Sequence, residues 1–320
     1  MRQLWLHIGT PKTGSTAVQR YSRERNKYLT SKGVDFLVRR ARASYNDLGI
    51  ALRGRVAADA AEIGEAIKTR IAASEADTLV ISSEMFTGGD PTLLRDVIAM
   101  DERFDTKIVA YFRRQDRYFE SNYKQKMKTG KVAPGFENYL AKFGTATGEY
   151  GRIVDTWEQA FPEAEFHFRR FEPARFPKGD VIRDFLGLLG LDIEADDKLP
   201  SGEAANPTPD IDMLDLMQIV TRIPGLDART VFRSMPVADL PRFTGRAMSN
   251  TQAREILAQF DDENEALRAR FFPEDDVLFD SADLDGPEPE IAVPSFSDDQ
   301  RHMIEELLKS VVANVGRKKR

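Results

Sequence analysis

The sequence contains no cysteine and only three histidines, His7, His167 and His302. The first absence excludes disulfides, a thiolate nucleophile and any sulfur-ligated zinc or iron–sulfur centre. The second argues against a histidine-rich metal site, and no metal is expected. Long apolar runs are missing as well. No stretch approaches the roughly 20 residues that span a bilayer. The opening MRQLWLHIGT has too short an apolar core for a secretory leader, so a cytoplasmic protein without a membrane span is expected. Basic charge is not in excess. Lys and Arg number 46 against 52 Asp and Glu, a formal net charge of −6, which argues against nucleic acid as a partner.

What is present is a globular composition, 41% hydrophobic and 31% charged over 320 residues. The charge is uneven. Between Lys107 and Lys131 eight basic residues face two acidic ones, a local net of +6. Between Asp261 and Asp299 fourteen acidic residues face two basic ones, a local net of −12. A basic island in an acidic chain suggests a local anion site, although a solvated helix face produces the same pattern.

Apolar strand-like runs alternate with helical periodicity. Strands are expected at Leu4–Ile8, Val34–Val38, Thr78–Ser82, Lys107–Phe112 and Glu165–Phe168. Helices are expected at Thr16–Lys32 with Gly33 as C-terminal cap, Ala57–Ala73, Pro91–Met100, Gln115–Met127, Phe136–Phe143, Arg152–Phe161 and Val181–Leu189. From Ile211 onward the pattern is mostly helix and loop. The alternation implies an α/β fold, a parallel sheet of about five strands flanked by helices, with a mostly helical C-terminal part. The expected division is a core over residues 1–200 and a helical extension over 201–320 packed on it. In such a sheet ligands bind at the carboxyl ends of the strands. Gly9–Thr16, Ser83–Phe86 and Arg113–Gln115 therefore come under suspicion.

Gly9–Thr16, GTPKTGST, joins the first strand to the first helix. Its glycines permit a tight turn and close backbone approach. The amides opening the helix, with the helix dipole, favour a phosphate or sulfate. Ser15 and Thr16 add hydroxyls and Lys12 a point charge. The spacing Gly9 to Gly14 is that of a nucleotide-triphosphatase phosphate loop, but Ser15 stands where that loop needs lysine, and the lysine lies inside the turn.

The run PKTGST resembles the phosphosulfate loop of sulfotransferases that use 3′-phosphoadenosine-5′-phosphosulfate (PAPS). The resemblance implies that Pro11, Lys12, Thr13, Gly14, Ser15 and Thr16 bind the 5′-phosphosulfate. A second segment, KIVAYFRRQDRYFESNY over Lys107–Tyr123, is similar to the same family's strand and helix that bind the 3′-phosphate. Arg113 at the strand end and Ser121 eight residues later stand at the family's spacing. Arg114 and Gln115 replace the family's usual pair after the arginine, so Arg114 is a second candidate for that role. SGEAANPTPD (201–210) and ALRARFFPEDDVLF (266–279) loosely resemble later segments of carbohydrate and bacterial sulfotransferases.

The resemblance implies a P-loop-kinase-like three-layer sandwich. It also implies transfer of a sulfuryl group to a hydroxyl or amine of a carbohydrate or glycolipid, leaving 3′,5′-adenosine diphosphate. Lys12 is expected to stabilise the leaving phosphate. Glu84, just past the strand Thr78–Ser82, is expected as general base, with His7 the second candidate. Tyr45 and Asn46 are candidate acceptor contacts. Lys124 and Lys128, four apart on one helix face, would draw in an anionic acceptor. A small-molecule kinase and a non-catalytic nucleotide- or glycan-binding protein of the same fold are the competing readings.

Overall fold

The computed structural model describes residues 1–37, 44–54, 56–98, 104–192, 208–227, 230–231 and 241–317. They fall into two compact units, each assembled from separate segments. One comprises the described residues of 1–114, 149–205 and 262–279; the other those of 115–148, 206–261 and 280–320.

The first unit is built on five parallel strands: β1 (Arg2–His7), β2 (Val34–Phe36), β3 (Thr78–Ser82), β4 (Phe104–Phe112) and β5 (Glu165–Arg170). Their order across the sheet is β2-β3-β1-β4-β5. Both faces are buried, which is why the strands read as continuous apolar runs rather than alternating ones. Leu4, Leu6, Leu79, Ile81, Ile108 and Ala110 point to one face. There they meet α3 (Asn46–Gly54), α4 (Ala57–Ala73), α5 (Pro91–Val97) and α8 (Tyr150–Ala160) through Leu48, Ile67, Leu94 and Trp157. Trp5, Val80, Val109 and Tyr111 point to the other. They pack on α1 (Ser15–Glu24), α2 (Asn26–Ser31) and α9 (Val181–Leu188) through Val18, Tyr21, Leu29 and Phe185. Helices on both faces of a parallel sheet in this order form the three-layer sandwich of P-loop kinases.

Three expectations change. The helix expected over Thr16–Lys32 is two helices, because Arg25 leaves the helical region at φ −108°, ψ 14°. Gly33 does end the second one, with φ +82° and its amide donating to Thr30 O at 3.0 Å. The fourth strand begins at Phe104, three residues before the apolar run, because parallel pairing with β1 extends over the polar residues Asp105 and Thr106. The helix α3 arises where no element was expected; Tyr45 N donates to Ser82 O at 3.0 Å and anchors its start. Val38, Met100 and residues 201–207 of the segment SGEAANPTPD lie outside the described residues.

The segment 266–279 has a packing role in this unit. The helix α12 (Asp261–Phe271) sends Phe271 against Phe168 of β5, ring centroids 5.4 Å apart. Arg170 then stacks on Phe272 at 4.1 Å and bonds Asp275 at 2.7 Å.

The second unit is helical: α6 (Gln115–Lys128), α7 (Phe136–Phe143), α10 (Ile211–Thr221), α11 (Asn250–Ala258) and α13 (Asp298–Arg317). Its core joins Phe119, Tyr123, Tyr139, Leu214, Met248 and Ile256. Among the described residues no helix is long and apolar enough to cross a membrane.

Candidate functional site

The central strand β1 ends at His7, and the ladder continues past it. Ile8 N donates to Val109 O and Ser83 N to His7 O, both at 3.0 Å. The chain then turns sharply. Gly9 adopts φ +51°, Lys12 +72° and Gly14 +77°. Two buried hydroxyls hold the turn: Thr13 Oγ1 donates to Thr10 O at 2.6 Å, and Thr10 Oγ1 donates to Tyr111 O on β4 at 2.8 Å. Lys12 is thereby held in a left-handed conformation that costs a side-chain-bearing residue about 1–2 kcal/mol.

The two glycines are required by neighbours. A Cβ on Gly9 would lie 3.3 Å from Glu84 Cα, and one on Gly14 would lie 2.7 Å from Val181 Cγ1 and 3.2 Å from Phe171 Cε2. Gly14 is the N-cap of α1, no side chain caps the helix start, and its first turn holds no acidic residue. The amides there and the positive end of the dipole face the turn, a donor set suited to a tetrahedral anion.

Glu84 follows β3, the neighbour of β1, and is half-buried. Its Oε2 accepts a hydrogen bond from Ser15 Oγ at 3.1 Å. Ser83 Oγ donates to Asn46 Oδ1 at 2.8 Å and accepts from Met85 N at 3.1 Å, which fixes the backbone on either side of Glu84. Asn46 therefore stands at the same strand end as the candidate base. Tyr45 is turned into the core, 3% exposed. Its contribution there is packing and the anchoring of α3.

His7 is also interior, 1% exposed. Its Nδ1 lies 2.9 Å from Ser82 Oγ, and Gln19 Nε2 donates to that same oxygen at 2.9 Å. The Ser82 hydroxyl thus links Gln19 and the imidazole in one buried hydrogen-bonded chain. Phe185 lies 4.9 Å from the ring, and burial lowers the imidazole pKa from 6.5 to about 4. The ring is neutral at neutral pH and enclosed between sheet and helices, a position that braces β1 against α1.

Arg113 follows β4, on the other side of β1. Its carbonyl accepts from Tyr150 Oη at 2.6 Å, and its guanidinium lies 5.7 Å from the Phe171 ring centroid. Phe171 is the ring that abuts Gly14, so loop and arginine share one neighbour. Arg114 is buried, 8% exposed. The ends of three adjacent strands thus bring together the loop with Lys12, Glu84 with Asn46, and Arg113. The strand-end positions were legible in the sequence. The Thr10 tie to β4 and the Phe171 contact were not, since both depend on a register between distant segments.

Ser121, Lys124 and Lys128 lie on α6, in the second unit. Lys124 is engaged by Glu120 Oε1 at 3.2 Å and by the Phe243 ring at 4.0 Å. Arg117 pairs with Asp283, and Lys126 lies 4.9 Å from the Phe143 ring. Burial lowers the Lys128 pKa. Lys107 pairs with Glu165 in the first unit. The basic island is thus divided among several local partners. Among the described residues no group of three or more metal-ligating side chains occurs.

No family model matches the chain. An uncharacterised protein of Archaeoglobus fulgidus is 43% identical over 88 residues, 28% of this chain. The match covers 23% of that relative, so the chain spans about a quarter of its length. A sulfotransferase crystal structure from Alicyclobacillus acidocaldarius aligns over 89% of this chain and 100% of its own, at 15% identity and a TM-score of 0.49.

Proposed function

We propose that the protein transfers a sulfuryl group from PAPS to a hydroxyl or amine of a carbohydrate or glycolipid acceptor. The observation that carries this reading is the contact between Ser15 and Glu84, 3.1 Å, at the mouth of the phosphate-type turn. It brings a carboxylate to the first helical residue of a loop whose lysine lies before Gly14 rather than after it.

The donor supplies an activated sulfur–oxygen bond. The chain's own residues do the rest by binding, charge and proton transfer. The loop amides and Lys12 hold the 5′-phosphate and stabilise the charge that develops on it as the sulfur–oxygen bond breaks. Arg113 offers a forked guanidinium to the 3′-phosphate. Glu84 Oε takes the acceptor proton as the new sulfur–oxygen bond forms. The enclosure of His7 favours Glu84 over it in that role. Asn46, hydrogen-bonded to Ser83 at the same strand end as Glu84, is the side chain we assign to orienting the acceptor hydroxyl.

Differential scanning fluorimetry tests the reading. 3′,5′-Adenosine diphosphate is expected to raise the melting temperature without magnesium, and Mg-ATP to do little. The reverse preference would favour a kinase and sink the sulfotransferase assignment.

A further inference from the structure

Ser15 has one hydroxyl proton, and that proton is committed to Glu84 Oε2. The serine is 2% exposed, so its hydroxyl sees little bulk water while Glu84 holds it. The backbone on both sides of Glu84 is pinned, by the Asn46–Ser83 bond and by Met85 N on the same hydroxyl. Gly9 lets the end of β3 approach the loop, leaving 3.3 Å between its missing Cβ and Glu84 Cα. The carboxylate can move only by side-chain rotation. An anion held at the start of α1 needs the same hydroxyl that Glu84 now holds.

We infer that Ser15 exchanges partners when the donor binds, so that filling the loop and releasing the Glu84 carboxylate are one event. This rests on the donor assignment made above. Before the donor arrives, Glu84 is tied to Ser15 and its Oε2 is occupied. Once a phosphate oxygen accepts from Ser15, that carboxylate oxygen is open to an acceptor hydroxyl. Losing that hydrogen bond makes the carboxylate a stronger acceptor and frees it to rotate, so the base is fully armed when the group to be transferred is in place, which favours donor before acceptor.

The test is a double-mutant cycle read by isothermal titration calorimetry with 3′,5′-adenosine diphosphate on the full chain. Wild type, Glu84→Ala, Ser15→Ala and the double variant are compared. Removing Glu84 relieves two costs, charge repulsion in both backgrounds and the broken hydrogen bond only where Ser15 is present. The tightening caused by Glu84→Ala is expected to be about tenfold larger with Ser15 in place than in the Ser15→Ala background, the scale of one hydrogen bond to a charged group. Glu84→Asp keeps the charge while withdrawing the carboxylate by one methylene. It is expected to tighten binding by the hydrogen-bond part alone, and it guards against misfolding of the alanine variant. Equal gains in both backgrounds, with no gain in Glu84→Asp, would overturn the exchange and leave the donor assignment standing. A wild-type chain that does not bind the nucleotide would overturn both.

Discussion

Gly14 has no room for a side chain. Its φ of +77° disfavours any residue with a Cβ, and Val181 and Phe171 occupy the space. Gly33, at φ +82°, has nothing among the described residues within 4 Å of the same position. Gly33→Ala should therefore cost only the left-handed penalty, about 1–2 kcal/mol, whereas Gly14→Ala adds overpacking of about 1–3 kcal/mol. Urea unfolding of the two variants checks the difference, and Gly14→Ala should also lose nucleotide binding. Lys12→Ala and Arg113→Ala are expected to keep the melting temperature of the free protein within a few degrees and to abolish its rise with 3′,5′-adenosine diphosphate. His7 gives a pH dependence. Its imidazole titrates near 6.5 when unfolded and about 4 when folded, so between those values the unfolded chain binds the extra proton. The stability tied to the neutral ring is complete above pH 6.5 and falls as pH drops towards 4. The full loss is about 3 kcal/mol, and His7→Gln should flatten that slope in unfolding measured across the window.

At the scale of elements, apolar periodicity was the clearest signal and helix interruption the weakest. The sequence boundaries of α4 and α7 coincide with the structure; α7 is bracketed by Gly135 and Gly144, which mark its ends in the sequence. The break between α1 and α2 was hidden because neither glycine nor proline marks it; Arg25 carries it through its backbone angles alone. Helix starts add stability of their own. Ser249 opens α11 with a capping box: its Oγ accepts from Gln252 N at 3.1 Å, and Gln252 Oε1 accepts from Ser249 N at 3.0 Å. Ser249→Ala should cost about 1 kcal/mol of stability in this unit, read by the far-ultraviolet dichroism of chemical unfolding. The turn between β1 and α1 was legible because Gly9, Lys12 and Gly14 are spaced as an anion loop requires. What faces that turn was legible only as strand ends. That Ser15 reaches Glu84 follows from the parallel pairing of His7 with Ser82, a register no local pattern encodes. Likewise the positive run on α6 read as one patch, whereas Glu120 turns Lys124 and Arg246 inward: burial would raise its pKa, but Lys124, Arg246 and the Ala247 amide outweigh this and lower it.

The molecule as a whole interleaves its two units along the chain, since 115–148 belong with the C-terminal helices while 262–279 return to the sheet. A linear reading sees α6 as the continuation of the second motif and has no composition shift to separate it. A ligand that binds the folded loop at a hundred times its dissociation constant should stabilise the first unit by about 2.7 kcal/mol. Hydrogen exchange with and without 3′,5′-adenosine diphosphate should show this as slowed amides in β1, β3 and β4. The strand order has one more effect. β1 is paired on both sides, to β3 and to β4, while the three-residue β2 lies at the rim. Fraying on warming starts at rims and leaves the middle of a sheet for last. The loop hangs from that middle, so warming should not produce a folded but disarmed protein: heat inactivation and loss of the sheet will share one midpoint.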